Sequence, residues 1–362
     1  MASPPAELAV RPGTPVKVAV VSPYAVDQPG GVQDQVMGIS LRLAGHGIDS
    51  WVVAPGLSGP PGARLVGRAL KVPANGSRAP IAVNPSTLRR VGEAVEGADV
   101  VHLHEPLMPL VGWGLLRKVA IPTVGTFHAD PSTLVRAAYR RLGPITRRLV
   151  RGLASVTAVS EVAASAVRSL RPDLRIIPNA VDVGQYRGEL DKKPRRIVFL
   201  GRDEPRKGLD VLLAAWPDII RVVPAAELDV IGADRAEPLR GVRFHGRVAD
   251  SEKRSILGEA SVFVAPNLGG ESFGITLLEG MAAGCAVVAS DLPAFQAVGG
   301  DAVEFFPRGN VEGLATKVAG LLLDEKRRVG VAEAGMRRSE IYDWTTVLPA
   351  YIDLYQSALC GP

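Results

Sequence analysis

Cysteine is almost missing from the chain: of 362 residues, only Cys285 and Cys360 are cysteines. Two thiols cannot build a disulfide framework, which excludes the small, stapled extracellular domains. Cys285 lies in an apolar, strand-like run, where a buried thiol acting as a small hydrophobe is the expected role. Long hydrophobic runs are missing as well. No window approaches the roughly 18 uncharged apolar residues of a membrane-spanning helix. Residues 1–15 are rich in Pro and Ala and have no signal-peptide core, so they read as a disordered leader and the expected location is cytoplasmic. No short internal repeat or low-complexity segment stands out. No aromatic and basic interleaving accompanies the positive charge, so nucleic acid is not an expected partner.

What is present is ample apolar material, 47% hydrophobic against 22% charged residues, in a chain longer than one core usually organises. Two domains follow. The net charge is +5 and the isoelectric point near 9.3, with Arg abundant and Lys scarce. Such a balance suits an anionic substrate or an anionic membrane surface, or is simply an excess spread over the surface. The densest basic tract holds Arg136, Arg140, Arg141, Arg147, Arg148 and Arg151. It reads either as a bilayer contact or as a solvated helix face.

In chain order, Val16–Val21 is a nearly continuous β-branched run, as expected of a strand buried on both faces. It leads through Tyr24 to Pro29-Gly30-Gly31 and a helix from about Gln33, so the Gly31 backbone stands at a helix N-terminus where a diphosphate is welcome. Strands follow at 50–54, at 100–104 (Val-Val-His-Leu-His, closed by Glu105-Pro106), at 122–128, 154–160 and 175–178. His102 and His104 share one strand face, the spacing of a metal pair, but no third ligand follows. Hydrogen bonding to neighbours is the expected role. His128 closes a strand, and ligands of parallel sheets sit beyond the strands' carboxyl ends. Residues 191–196 are polar and basic and read as a linker. A second series of strands then begins at 197–201 and continues at 228–232, 242–246, 261–265 and 285–290. The expected fold is α/β, two Rossmann-like, doubly wound parallel sheets facing an interdomain cleft. Domain bounds are 16–185 and 186–344, with a C-terminal helix over 345–362 returning to the first domain.

Two constellations carry chemistry. After the strand at 197–201 comes Gly201-Arg202-Asp203-Glu204-Pro205-Arg206-Lys207-Gly208, a loop that puts three cations at a strand's carboxyl end. Taken alone it reads as a solvated loop with local acidic partners. After the strand at 261–265 comes Asn267-Leu268-Gly269-Gly270-Glu271-Ser272-Phe273-Gly274-Ile275, then a helix in which Glu279 stands eight positions beyond Glu271. Backbone N–H groups from Ser272 to Ile275 sit at the positive end of that helix. Each carboxylate presents two acceptors to the paired donors of a sugar diol. The competing assignment makes Glu271 a helix cap and Glu279 a solvated helix residue.

The whole string resembles the Glu-x7-Glu motif of retaining GT-B glycosyltransferases of family 4. Gly-Gly-Glu-Ser-Phe-Gly-Ile is most similar to the actinobacterial phosphatidylinositol mannosyltransferases, and the resemblance runs from Val16 to Trp344. It implies a donor site for GDP-mannose. Gly31, Arg202, Arg206 and Lys207 would meet the diphosphate, Glu271, Ser272, Phe273, Gly274 and Ile275 the mannose, Glu279 the ribose, and Val248, Asp250 and Lys253 the guanine. It further implies that His128 contacts the sugar near its reacting carbon, and that Tyr24, Gln33, Asn75 and Arg78 place a phosphatidylinositol acceptor. His128, Lys207, Arg202 and Glu271 are the catalytic candidates. No general base is assigned, because front-side attack lets the departing phosphate take the acceptor's proton. No cofactor is required, since Arg202 and Lys207 supply the charge that Mg²⁺ would otherwise bring. The implied place of action is the inner face of the cell membrane.

The acceptor side departs from the family pattern. Ala74 stands for its Tyr and Pro80 for its Arg, and Ala129-Asp130-Pro131 replaces a Thr-rich tract. The helix near 86–95 has only Arg89 and Arg90 and gains Glu93 and Glu96, where the family's docking helix is rich in Lys.

Overall fold

Parallel strands buried on both faces need apolar side chains on both, and the runs singled out in the sequence supply them. The computed structural model describes residues 15–74, 77–130, 136–137, 141–188, 191–236 and 238–360; the expected leader, apart from residue 15, lies outside them. The chain divides into two units, one reaching to Pro178 and taking in Leu348–Pro362, the other Asn179–Val347.

The first unit holds β1 (Val16–Val21), β2 (Ile48–Ala54), β3 (Arg64–Leu65), β4 (Ala69–Ala74), β5 (Ser77–Ala82), β6 (Val100–His104), β7 (Thr123–Phe127), β8 (Ser155–Ala158) and β9 (Arg175–Ile176). Its helices include α1 (Gly31–Leu43), α2 (Thr87–Ala94), α3 (Val111–Lys118), α4 (Gly143–Arg151) and α5 (Glu161–Ala164). Seven strands form one sheet in the order β3-β2-β1-β6-β7-β8-β9, every pairing parallel. The order reverses direction between β1 and β6, and at such a switch point the flanking connections leave on opposite faces and open a crevice. Strands β4 and β5 form a separate antiparallel hairpin, onto which Tyr24 bridges at Ile81.

The second unit holds β10 (Lys193–Leu200), β11 (Glu227–Ile231), β12 (Val242–Gly246), β13 (Ala260–Ala265), β14 (Ala286–Ser290) and β15 (Glu304–Phe306). Among its helices are α6 (Leu209–Val222), α7 (Asp250–Glu259), α8 (Ile275–Ala282), α9 (Pro293–Gly299), α10 (Val311–Leu323) and α11 (Glu325–Ser339). The sheet order is β12-β11-β10-β13-β14-β15, again parallel, with its switch point between β10 and β13. Phe199, Trp216, Leu228, Val264 and Leu314 belong to one buried cluster on that sheet. The last helix, α12 (Trp344–Cys360), starts in this unit, while Tyr351 and Tyr355 are fully buried in the first.

One expectation is overturned. Lys193 to Arg196 are not linker but the first half of β10: Lys193 pairs with Ala260 of β13, with a register shift before Ile197, and Arg196 pairs with Glu227 of β11. Their charge suggested a solvated segment, yet each end finds an acid: Lys193 Nζ lies 2.5 Å from Glu259, and the Arg196 guanidinium bonds both Asp229 and Glu259. The unit boundary also falls earlier than 185/186, because Val181 bridges Asp343 and exchanges backbone hydrogen bonds with Tyr342 and Trp344, which ties Asn179 onward to the second unit.

Asp229 is fully buried on β11, with Arg196 on one oxygen and Nε2 of His245 2.7 Å from the other. Burial by itself would raise this carboxyl. The hydrogen bonds from Arg196 and His245, with the charges of Arg196 and Arg243, outweigh it and hold the pKa below the ordinary value. A depressed carboxylate contributes stability that is complete above its unfolded pKa, about 4, and is lost as pH falls through the folded value. The melting temperature should therefore drop between pH 5 and pH 3, and less steeply in Asp229→Asn. Identical acid slopes in a calorimeter would remove Asp229 from that account.

Candidate functional site

In the second unit, chemistry gathers on the two connections at the switch point. After β10, Pro205–Lys207 makes one 3-10 turn and Gly208 takes φ +71°, starting α6. A Cβ on Gly208 would stand 1.9 Å from the carbonyl oxygen of Pro266, so glycine is what lets this loop lie against the one after β13. Leu268 N–H donates to the Arg206 carbonyl at 2.8 Å, stitching the two loops together.

That contact brings Lys207 to Glu271. Nζ lies 2.8 Å from Oε2, both side chains are largely buried, and Asn267 Nδ2 donates to the same oxygen at 3.1 Å. Asn267 is in turn held by Ser290, whose hydroxyl donates to the Asn267 carbonyl at 2.7 Å. The other two cations of the run are held locally: Arg202 Nη1 lies 3.1 Å from Glu204, and Arg206 bonds Glu204 at 2.9 Å and the Gly270 carbonyl at 3.1 Å. Arg202, more than half exposed, is the most solvent-accessible of the three.

Gly274 precedes α8 with φ +109°, and a Cβ there would meet the Phe295 ring at 2.9 Å. Phe273 is buried with its ring edge-on to Tyr342, centroids 5.7 Å apart, so its side chain serves the core and only its backbone is available to a ligand. Ser272 and Ile275 flank it, both half-buried. Glu279, one turn into α8, is not a solvated helix residue: it is 8% exposed, and Oε1 accepts from Tyr186 Oη at 2.6 Å and from Lys253 Nζ at 2.8 Å. Lys253 also lies 3.1 Å from Asp250, the first residue of α7. Burial would lower the Lys253 ammonium, but Glu279 and then Asp250 outweigh it and raise its pKa. The Tyr186 hydroxyl is pushed upward by burial and by the Glu279 carboxylate, so it stays protonated and donates. Val248, half-buried, lies two residues before Asp250 on the same connection.

In the first unit the glycine loop follows the switch-point strand β1, His102 and His104 lie on its neighbour β6, and His128 follows β7, the next strand of the sheet. Gly31 is the exposed first residue of α1, where a helix leaves N–H groups without internal partners. Gln33 is buried and donates to the Ala25 carbonyl at 3.3 Å. Tyr24 is half-buried, and its backbone N–H donates to Ser22 Oγ at 3.0 Å. Asn75 and the side chain of Arg78 lie outside the described residues.

His128 follows β7 and is 4% exposed, its Nε2 2.7 Å from Nδ1 of His104. His102 does not turn to a metal: its ring nitrogens lie 2.8 Å from the Tyr355 hydroxyl and 2.7 Å from the Thr126 hydroxyl. Burial, then the His128 charge, lower the His102 pKa to about 3, so the ring is neutral. Glu105, which the sequence presented only as a strand closure, is buried and takes the left-handed φ of +50°. Its Oε1 accepts the backbone N–H groups of His128 and Ala129 at 2.7 and 2.6 Å. Burial raises the Glu105 pKa, and those two bonds offset only part of the rise.

Sequence reasoning missed Tyr186, Glu105 and the part played by Asn267. Asn267 opened the string already quoted and was available. Tyr186 and Glu279 are 93 residues apart, and no local pattern relates them.

Two parallel, doubly wound sheets, each with its polar groups at the carboxyl ends of the switch-point strands, define the GT-B class of glycosyltransferases. Solved structures of that class superpose over nearly the whole chain. Sucrose-phosphate synthase from Thermosynechococcus elongatus gives a TM-score of 0.72 at 18% identity, covering 95% of this chain and 99% of that one. Anabaena HepE, in complex with UDP and glucose, gives 0.71 at 14% identity, covering 93% and 98%. Residues 29–185 match Glycosyltransferase Family 4 and residues 194–324 match Glycosyl transferases group 1. The chain belongs to glycosyltransferase family 4, as the Glu271 to Glu279 string implied. Among curated relatives, the phosphatidyl-myo-inositol mannosyltransferase of Mycolicibacterium smegmatis is 38% identical over 94% of each chain. That of Propionibacterium freudenreichii is 35% identical over 95% of each.

Proposed function

We propose that the protein transfers mannose from GDP-mannose to phosphatidylinositol, with retention of anomeric configuration, at the inner face of the cell membrane. The observation that carries this reading is the pair of pre-organised carboxylates, Glu271 with Lys207 and Asn267, and Glu279 with Lys253 and Tyr186. Relatives at 35–38% identity over about 94% of the chain bear the name of that activity.

Lys207 and Arg202 neutralise the departing diphosphate, whose charge grows as the glycosidic bond breaks, so they act most strongly in the transition state. Glu271 and the backbone of Ser272 to Ile275 hold the sugar hydroxyls. Glu279 holds the ribose, with Asp250, Lys253 and Val248 near the base. Gly31 meets the phosphates, and His128 the sugar close to its reacting carbon. Tyr24, Gln33, Asn75 and Arg78 attend the acceptor. The departing phosphate oxygen takes the acceptor's proton, and no metal is required by this scheme.

The test is transfer of radiolabelled sugar from a panel of nucleotide sugars to phosphatidylinositol vesicles. GDP-mannose should dominate, and uniform rates across donors would overturn the assignment. The substitutions at Ala74, Pro80 and Ala129 favour one second reading, the same donor with a different lipid or soluble acceptor. Product formed from GDP-mannose only when a non-inositol acceptor is supplied would select it.

For the membrane surface, support comes from α4 and the residues before it. Arg141, Arg147, Arg148 and Arg151 are exposed beside exposed Leu142 and Ile145, and none of the four arginines makes an ion pair among the described residues. No Asp or Glu occurs from Pro131 to Ser160. By contrast Arg89 of α2 is paired with Glu93 at 3.5 Å. No helix among the described residues is long and apolar enough to cross a membrane. At about 1 kcal/mol per cation, changing Arg147, Arg148 and Arg151 to Gln should weaken binding to anionic vesicles on the order of a hundredfold. Binding that is insensitive both to salt and to these changes would exclude α4 as the contact.

A further inference from the structure

Tyr186 ends the 3-10 turn Val183–Tyr186, and that turn is pinned on both sides. The Val183 N–H donates to Oδ2 of Asp343 at 2.9 Å, while Arg187 lies 2.9 Å from Glu340 and donates to the Met336 carbonyl at 3.0 Å. The Tyr186 hydroxyl is thereby delivered to Oε1 of Glu279 at 2.6 Å, and Nζ of Lys253 reaches the same oxygen at 2.8 Å. Oε2 of Glu279 has no hydrogen-bond partner among the described residues. Glu271 repeats the construction: Lys207 and the Asn267 amide both meet Oε2, at 2.8 and 3.1 Å, and Oε1 has no partner among the described residues. Each carboxylate is held by one oxygen, on an ammonium and a neutral donor, and presents the other.

The two donors to Glu279 are not equivalent. An ammonium carries three N–H groups on a flexible stem and can straddle both oxygens of a carboxylate. A phenol has one O–H at the end of a rigid ring and holds only one oxygen. Burial and then the Glu279 carboxylate keep that proton on Tyr186. With Oε1 fixed between Tyr186 and Lys253, the second oxygen is left to a ligand as a pure acceptor with both lone pairs open. Such an oxygen takes hydroxyl donors and repels phosphate or carbonyl oxygens, and two vicinal hydroxyls can share it, one per lone pair. A ligand without hydroxyls at that point leaves a largely buried acceptor unpaired, and sites of this kind reject the analogue.

We propose that Tyr186 is a positioning residue that sets the specificity for an unmodified ribose: by engaging Oε1 it keeps Oε2 of Glu279 for the 2′- and 3′-hydroxyls of the nucleotide. Removing the phenol oxygen frees the carboxylate to turn, and Lys253 then spans both of its oxygens. That the hydroxyls belong to a ribose rests on the proposed function; the asymmetry of the carboxylate does not.

The test is calorimetric titration of the full chain with GDP, 2′-deoxy-GDP and 3′-deoxy-GDP, and in parallel with UDP and its deoxy forms. GDP should bind the parent about tenfold tighter than either deoxy nucleotide. In Tyr186→Phe, GDP should weaken about fivefold and the deoxy forms by less than about twofold, so that the preference shrinks to about twofold. A preference equal in both chains, or none in the parent, overturns the role of Tyr186 while GDP binding, and with it the donor assignment, still stands. Selectivity seen only with the uridine nucleotides supports Tyr186 and sinks the guanine assignment instead. A chain that binds none of the nucleotides overturns both. Kinetics add a reading that a purely structural role would not produce: Tyr186→Phe should raise KM for the sugar nucleotide about fivefold with kcat within about twofold. A loss confined to kcat counts against Tyr186 as the residue that orients Glu279.

Discussion

Lys207→Ala is expected to lower kcat by about a thousandfold, the upper end of what one electrostatic donor to a developing charge supplies. The ammonium is the one cation of its loop held against Glu271, while Arg202 and Arg206 are engaged by Glu204. Its position is therefore set before a ligand arrives, and no reorganisation is needed as the leaving group gains charge. Removing it also leaves Glu271 without its counter-ion, which confounds catalysis with stability. The double variant Lys207→Met, Glu271→Gln removes both charges and should fold normally while staying inactive. Glu279→Ala should cost about tenfold, mostly in KM, because a ribose contact is the same in ground and transition states. Equal small losses for Lys207→Ala, His128→Ala and Glu279→Ala would sink the assignment.

Gly208→Ala should destabilise the second unit by about 3–5 kcal/mol, or roughly 10 °C in melting temperature for a unit of this size. Two costs combine. A side chain at φ +71° is strained in any surroundings, and the added Cβ would fall 1.9 Å from the Pro266 carbonyl oxygen, inside any permitted contact. Relief requires the loops after β10 and β13 to part, and that would also draw Lys207 away from Glu271. Gly330→Ala is the control. Gly330 lies inside α11 with nothing within 4 Å of an added Cβ, so the change should stabilise by about 0.5–1 kcal/mol. A Gly208→Ala chain melting within about 2 °C of the parent would show that the two loops are not in van der Waals contact in solution.

The apolar strands were legible because burial on both faces leaves only one kind of side chain, and such runs announce themselves locally. Glu271 and Glu279 were legible for a related reason: one loop and one helix turn separate them, so their separation is a property of the chain. His102 and His104 were legible as partners on one strand face. The stretch at 193–196 was not, since a charged strand resembles a solvated linker until its acids on β11 and α7 are in place.

From the residues alone came the two-sheet class, the family, and the list of polar groups at strand ends, all of which depend on neighbours a few positions apart. Which of those groups are already paired was decided only by the tertiary structure. Tyr186 reaches Glu279, Lys207 reaches Glu271 and His104 reaches His128 across 93, 64 and 24 residues respectively. The free energy of a charge or a proton depends on what stands within about 4 Å of it, and over such separations that is settled by how sheets and helices pack.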